Sequence, residues 1–331
     1  MRVSKVKQVE VISIGAVNYD IIAFVSKFPE AEEKINSTRY QEYGVAGVAV
    51  DCLTQVSRLG LSCGHIGKMG MDYYADHIRT DLEEEGIDTT FCINVPEMRT
   101  GVAWVLVNSD NADRCHIIHP ASAGNFDWDE LKGMKDYICS AKAVHMEMLQ
   151  MPMEPLYEVA KLCREHGVIT SMDIDIAPHY LYEYGYATPE LFMATCPQID
   201  LLKLCSAAIP ELTEQKDMVE AAKELYEKLQ PTVLILTLGG AGCVVAHKVG
   251  ECTEVIVVPA FDGKDIIDTT GSGDAFQGGF IYGYLKNYPL KKTAQLANAC
   301  GYLAAKKIGA RGSADKETLN RFMVEHGCGP L

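Results

Sequence analysis

Basic residues are scarce in this chain: 30 Lys and Arg stand against 45 Asp and Glu, a formal net charge of −15 over 331 residues. A nucleic-acid-binding surface requires clustered cations, so that class of partner is excluded. A small anionic ligand held by backbone dipoles is not excluded. Also missing is any apolar run long enough to span a bilayer, and no secretory h-region follows Met1. The expectation is therefore a cytoplasmic protein with no membrane partner. The twelve cysteines contain no C-x-x-C and no Cys/His spacing of a zinc site. They read as free thiols in a reducing compartment, with Cys139, Cys163, Cys205, Cys243 and Cys300 as small core residues. Neither Gly67-Lys68 nor Gly263-Lys264 is followed by Ser or Thr, which excludes a P-loop. No H-R-D or D-F-G triplet occurs, which excludes protein-kinase machinery.

What is present is a regular alternation of β-like and helical stretches. Val9 to Val17 is a β-branched run ending in Asn18-Tyr19-Asp20, and Gly44 to Asp51 leads into a helix ending at Arg58-Leu59-Gly60. Strands are expected at Ser62–Lys68, Ala143–Met146, Val168–Met172, Leu201–Leu204 and Val233–Leu238, with helices near Asp72–Glu85, Glu154–His166 and Val219–Leu229. This spacing predicts a mostly parallel sheet with helices on both faces. Half-polar stretches in Ile21–Tyr43, and at Val102–Val107 and Arg114–Ile118 around a polar turn at Asn108–Asp113, predict a small separate sheet. The expected division is a core of residues 1–19, 47–98 and 125–331, with a β-lid of 20–46 and 99–124 inserted in it. The Gly-rich turn Gly239-Gly240-Ala241-Gly242 is followed by a strand, not a helix, so a dinucleotide-binding reading fails.

The stretch Asp268-Thr269-Thr270-Gly271-Ser272-Gly273-Asp274-Ala275-Phe276 precedes an apolar segment and stands where a loop becomes a helix. Unpaired amides at a helix start favour an anion, phosphate above all. Asp274 is out of place there, because a carboxylate repels phosphate unless it has another task, such as taking a proton from an attacking hydroxyl. On residues alone, Gly271 capping the helix and Asp274 stabilising its first turn explain the pattern as well.

Together these pieces resemble the ribokinase, or PfkB, family of carbohydrate kinases. The resemblance runs from Asn18-x-Asp20 through Ala46-Gly47, Arg58-Leu59-Gly60, Ile66 to Asp72 and Thr100-Gly101-Val102-Ala103. It continues at Thr237 to Gly242, the DTTGSGDAF stretch and Ile308 to Ser313. It implies a ribokinase-like α/β fold with a small β-sheet lid, and ATP-dependent phosphorylation of a hydroxyl of a neutral sugar or sugar-like polyol. Asp274 would be the base, and the amides of Gly271, Ser272 and Gly273 the anion hole. Asp20, Gly47 and Asp51 would meet the sugar, and Thr237, Gly239, Gly242 and Asn298 the nucleotide. Mg²⁺ would arrive with ATP. In members activated by a monovalent cation, positions matching Asp268, Thr270, Gly309 and Ser313 surround K⁺. A homodimer through exposed lid strands is a further expectation.

Three departures stand out. Asp51 replaces the Asn usual at the sugar, which disfavours an anionic acceptor. The N-x-x-E motif that organises the waters of Mg²⁺ falls on Cys205 and Ala208, with Glu211 three residues late. Asp173-Ile174-Asp175-Ile176-Ala177 lacks the Arg of the sugar-acid and fructose branches. Two alternatives remain open: a nucleoside kinase with an acceptor pocket lined by Tyr19, Phe24, Tyr40 and Tyr43, and a sugar-binding regulator that has lost efficient catalysis.

Overall fold

A computed structural model describes residues 8–110, 114–122, 125–263 and 265–331, with residues 40–43 described by their backbone alone. Its strands are β1 (Val11–Ile14), β2 (Asn18–Val25), β3 (Arg39–Ala46), β4 (Cys63–Met69), β5 (Ile87–Asn94), β6 (Gly101–Asn108), β7 (Arg114–His119), β8 (Ala143–Glu147), β9 (Ile169–Ile174), β10 (Leu201–Leu204), β11 (Val233–Thr237), β12 (Cys243–Val249) and β13 (Cys252–Val258). The large sheet has the order β13-β12-β11-β10-β9-β8-β1-β4-β5. From β11 to β5 all neighbours are parallel, and β12 and β13 close that edge as an antiparallel hairpin. This is the expected ribokinase-like α/β architecture.

Strand alternation divides the core between the two faces of this sheet. Leu202, Leu204, Leu234 and Leu236 join one apolar cluster with the helix Met153–Glu165. Leu201, Val233 and Ile235 join the other, with Phe276 and Phe280 of the helix Ser272–Leu285. That helix is buried from Asp274 to Gly283. It fits so close because Gly278 lies against the Cys52 carbonyl and Gly279 against Cys300.

The small sheet has the order β3-β2-β6-β7. Its central pair, β2 and β6, is parallel over its full length, from Asn18 opposite Gly101 to Val25 opposite Asn108. Asp20, Ala103 and Ile118 stand in one row across it, and Ile21, Trp104 and Ile117 in the next. The first row faces the cavity described below and the second faces away, with Trp104 43% and Ile117 57% exposed.

Some elements escape the sequence reading. β5 alternates as Ile-Asp-Thr-Thr-Phe-Cys-Ile-Asn and lies at the sheet edge, where few apolar residues are needed. The helices Trp128–Gly133, Pro178–Glu183 and Pro189–Thr195 are too short to show a period. The turn expected over 108–113 and the side chains of Tyr40 and Tyr43 lie wholly or partly outside the described residues. Among the described residues no helix is long and apolar enough to cross a membrane.

Candidate functional site

The helix Ser272–Leu285 starts on Gly271, whose φ of 70° is left-handed. A Cβ at this position would lie 1.8 Å from the carbonyl oxygen of Ala310, so only glycine fits beneath the Gly309–Gly312 loop. The amides of Gly271 and Gly273, residues that both line the cavity described below, have no acceptor among the described residues, as is usual at a helix start. Ser272 departs from the expected trio. Its amide turns back to the Thr269 carbonyl at 3.2 Å, and its hydroxyl donates to the same oxygen at 2.7 Å.

Asp274 follows in the first helical turn, 8% exposed, with Oδ1 lacking any hydrogen-bond partner. Burial pushes its carboxyl well above the usual range, Asp175, Asp51 and Asp173 add to the shift, and Lys203 opposes it. Lys203 is here because strand parity turns it to the same face as Leu201, toward this helix. Its ammonium donates to both Asp173 oxygens at 2.6 Å and lies 3.8 Å from Asp175. Burial works against that charge, but Asp173, Asp175 and Asp274 outweigh it and hold the ammonium above its ordinary range. Lys203 is a charge beside the site that the sequence reading did not single out. A single charge in the apolar run Leu-Leu-Lys-Leu was the signal.

One cavity of about 780 Å³ collects nearly every expected residue. Gly271, Ser272, Gly273 and Asp274 line it, as do Asp20, Gly47 and Asp51 toward the small sheet, and Thr237, Gly239, Gly242 and Asn298 toward the β11–β12 hairpin. Phe261, Phe276 and Tyr302 also line it. Tyr19 is stacked on Tyr74 at 4.6 Å, and Phe24 carries the Arg39 guanidinium. Neither lines the cavity, so the aromatic acceptor wall expected from them is absent among the described residues.

At the acceptor end Gly47 has φ 139°, and a Cβ there would meet the Ala16 carbonyl at 2.5 Å. Its amide donates to Asp51 Oδ2 at 3.1 Å, leaving Asp51 Oδ1 buried and unpartnered. Burial raises the Asp51 carboxyl to about 7, with Arg311 opposing the rise. Asp20 is raised to about 8 by burial and then by Asp51. Glu147 holds the loops on either side, accepting from the amides of Ala16 and Leu149 at 2.8 Å each. Asn18 donates to Gln150 at 2.8 Å across the same gap.

The positions implied for K⁺ lie partly outside the cavity. Asp268, Gly309 and Ser313 do not line the cavity, and only Thr270 does. The Asp268 carboxylate and the Ser313 carbonyl accept from protein donors, while the Ser313 hydroxyl is buried with no partner. Asp268 accepts from Arg114 Nη1 at 2.8 Å and from the Gly309 amide at 2.9 Å, and the Ser313 carbonyl accepts from Arg58 at 2.7 Å. The Arg114 guanidinium thus stands on two of the four positions, Asp268 and Thr270. Near the N-x-x-E position, Cys205 lines the cavity and Ala208 is fully buried. Glu211 is bonded to the ring and the amide of His179, and does not line the cavity. The acid that does reach it there is Asp175, with its side chain 42% exposed. No group of three His, Cys, Asp or Glu among the described residues is arranged to bind a metal directly.

A mostly parallel sheet, a small sheet beside its strand ends and one cavity between them define a ribokinase-like protein. The chain belongs to the pfkB family of carbohydrate kinases, whose model matches residues 8–317. Among curated relatives, an ATP-dependent ribose-1-phosphate kinase of Halopiger xanaduensis is 27% identical over 323 residues, covering 96% of this chain and 99% of that protein. The ribokinase of Thermotoga maritima superposes with a TM-score of 0.80 at 20% identity, covering 96% of this chain and 99% of that one. The Arabidopsis thaliana ribokinase, solved with ribose and ATP, gives 0.79 at 18% identity, with coverage of 96% and 99%. Likeness at these identities concerns the fold. The family makes the chain a sugar or nucleoside kinase.

Proposed function

We propose that the protein transfers the γ-phosphoryl group of ATP to a hydroxyl, primary in the favoured reading, of a neutral sugar or sugar-like polyol. The observation that carries this is Asp274: a buried carboxyl group with a free oxygen, one residue past amides without acceptors at a helix start, lining the large cavity. In the reaction the acceptor oxygen bonds to the γ-phosphorus, its proton passes to Asp274, and the bond from that phosphorus to the ADP oxygen breaks. The Gly271 and Gly273 amides meet the phosphoryl charge as fixed dipoles. Asp20 and Asp51 bind acceptor hydroxyls, with Gly47 letting the backbone come close. Thr237, Gly239, Gly242 and Asn298 line the nucleotide.

Mg²⁺ bound to ATP supplies further charge neutralisation, and Asp175, facing the cavity, is the residue that fits its water shell. The small sheet acts as the lid of the core, excluding water. Its outer face, bearing Trp104 and Ile117, is the surface through which two copies pair. Free cysteine thiols fit a cytoplasmic setting.

The test is ADP release across neutral sugars, polyols, nucleosides and ribose 1-phosphate, the acceptor named for the Halopiger relative. Turnover of neutral sugars, abolished in Asp274→Asn, is the expected result. Turnover confined to nucleosides or to the sugar phosphate overturns the acceptor assignment. Sugar binding without turnover in the wild type overturns the enzyme assignment.

A further inference from the structure

The loop that leads into the anion-binding turn carries a positive charge supplied from the opposite sheet. Arg114, at the start of β7, bonds Asp268 Oδ1 at 2.8 Å and donates to the hydroxyls of both Thr269 and Thr270. Asp268 Oδ1 also accepts from the Thr270 amide at 2.9 Å and its hydroxyl at 2.7 Å. Burial works against the Asp268 charge, yet the Gly309 amide, Thr270 and Arg114 prevail and hold the carboxyl below its usual range. On the far side of the loop, Arg58 at 2.7 Å and Lys307 at 3.3 Å share the Ser313 carbonyl. A potassium ion is held by a ring of oxygens turned toward it, and a guanidinium on those oxygens occupies the same place with the same charge. Of the Asp268 and Ser313 oxygens, the Ser313 hydroxyl alone is left buried and unpartnered. Among the described residues that line the cavity, Arg114 is also the one Arg or Lys, beside four aspartates.

We propose that Arg114 takes the place of a monovalent cation in this chain. Phosphoryl transfer then requires no potassium, and the loop before Gly271 is organised by a charge that travels with the small sheet. This rests on the kinase reading of the Gly271–Gly273 turn, so the deciding measurement is one that does not need turnover. Thermal unfolding of the full chain is compared in potassium chloride and tetramethylammonium chloride at equal ionic strength, for wild type and for Arg114→Met. Wild type is expected to melt at the same temperature in both salts. Arg114→Met is expected to melt lower in tetramethylammonium and to recover with a saturable dependence on potassium, because only a bound ion stabilises in that way. Arg114→Lys is expected to stay indifferent to potassium. Turnover of the wild type should agree between salts within about twofold, and that of Arg114→Met should rise about fivefold or more in potassium, as a bound, organising ion requires. Saturable stabilisation of the wild type by potassium overturns the proposal. So does an Arg114→Met protein that folds and ignores the ion. Absence of turnover in either salt strikes the kinase reading and leaves the melting comparison to decide this one.

Discussion

Lys203 and Asp173 face each other across β10 and β9, the ammonium 2.6 Å from both carboxylate oxygens, and neither is more than 1% exposed. The pair lies close to the turn at Gly271–Gly273: a Cβ on Gly273 would stand 3.4 Å from the Lys203 nitrogen. It is thus a fixed charge set where Asp274 and the turn at Gly271–Gly273 meet. Losing one member leaves the other charged and buried, which costs about 3–5 kcal/mol. Lys203→Met is expected to lose that much in urea unfolding. The double change Lys203→Met, Asp173→Leu should recover much of it, and a strictly additive loss would show that the two do not act as a pair.

Asp274→Asn removes the proposed proton acceptor while keeping size and burial. A fall of roughly 10²–10⁴-fold in kcat, with the KM for ATP little changed, is the magnitude of general-base loss. Steady-state ADP release measures it. A change confined to KM would assign Asp274 to binding instead.

Asp20 and Asp51 titrate near neutrality, at about 8 and about 7, well above an ordinary carboxylate. The folded protein therefore keeps protons that the unfolded chain releases, and stability falls as pH climbs from about 4 through about 8. Asp51→Asn lifts the Asp51 share of that loss while its side-chain oxygen still accepts from Gly47. The variant is expected to melt roughly 2–4 °C above wild type at pH 8.5 and level with it at pH 5, in scanning calorimetry. An equal difference at both pH values would mean that the charge of Asp51 is not what matters.

Gly271→Ala combines a left-handed φ with a collision against Ala310. A cost of roughly 1–3 kcal/mol is expected for the strain. Because the turn carries the amides without acceptors, kcat should fall together with the melting temperature. Gly133→Ala, with open space around its Cβ, is the control that should change neither.

Trp104→Lys tests the outer face of the small sheet. Light scattering should show a dimeric wild type and a monomeric variant with its melting curve nearly intact. A wild type that is monomeric at all concentrations would remove pairing through this face.

Much of the frame was legible in the residues. Leu201–Leu204 is the strand expected over the same residues, and Gly60 and Gly86, which follow the helices Val48–Arg58 and Tyr73–Glu84, have the positive φ of a helix-ending glycine. Periodicity exposes such elements because they bury one face at a regular interval. β5 hid because an edge strand carries polar residues on both sides of its pattern. The gathering of Asp20, Gly47, Asp51 and Asp274 around one cavity followed from the family motifs rather than from periodicity.

The DTTGSGDAF stretch determined, by itself, a helix start with glycines at the approach and a carboxylate in its first turn, because local backbone preference is a property of neighbouring residues. Only the tertiary structure decided what surrounds it. Lys203 arrives from β10, Arg114 from β7 and the Ala310 carbonyl from the loop after the next helix, each far away in the chain. The Ser272 amide turns inward, and Asp268 is matched to a guanidinium. Charge pairing across the fold depends on distance in space, and sequence order does not report that distance.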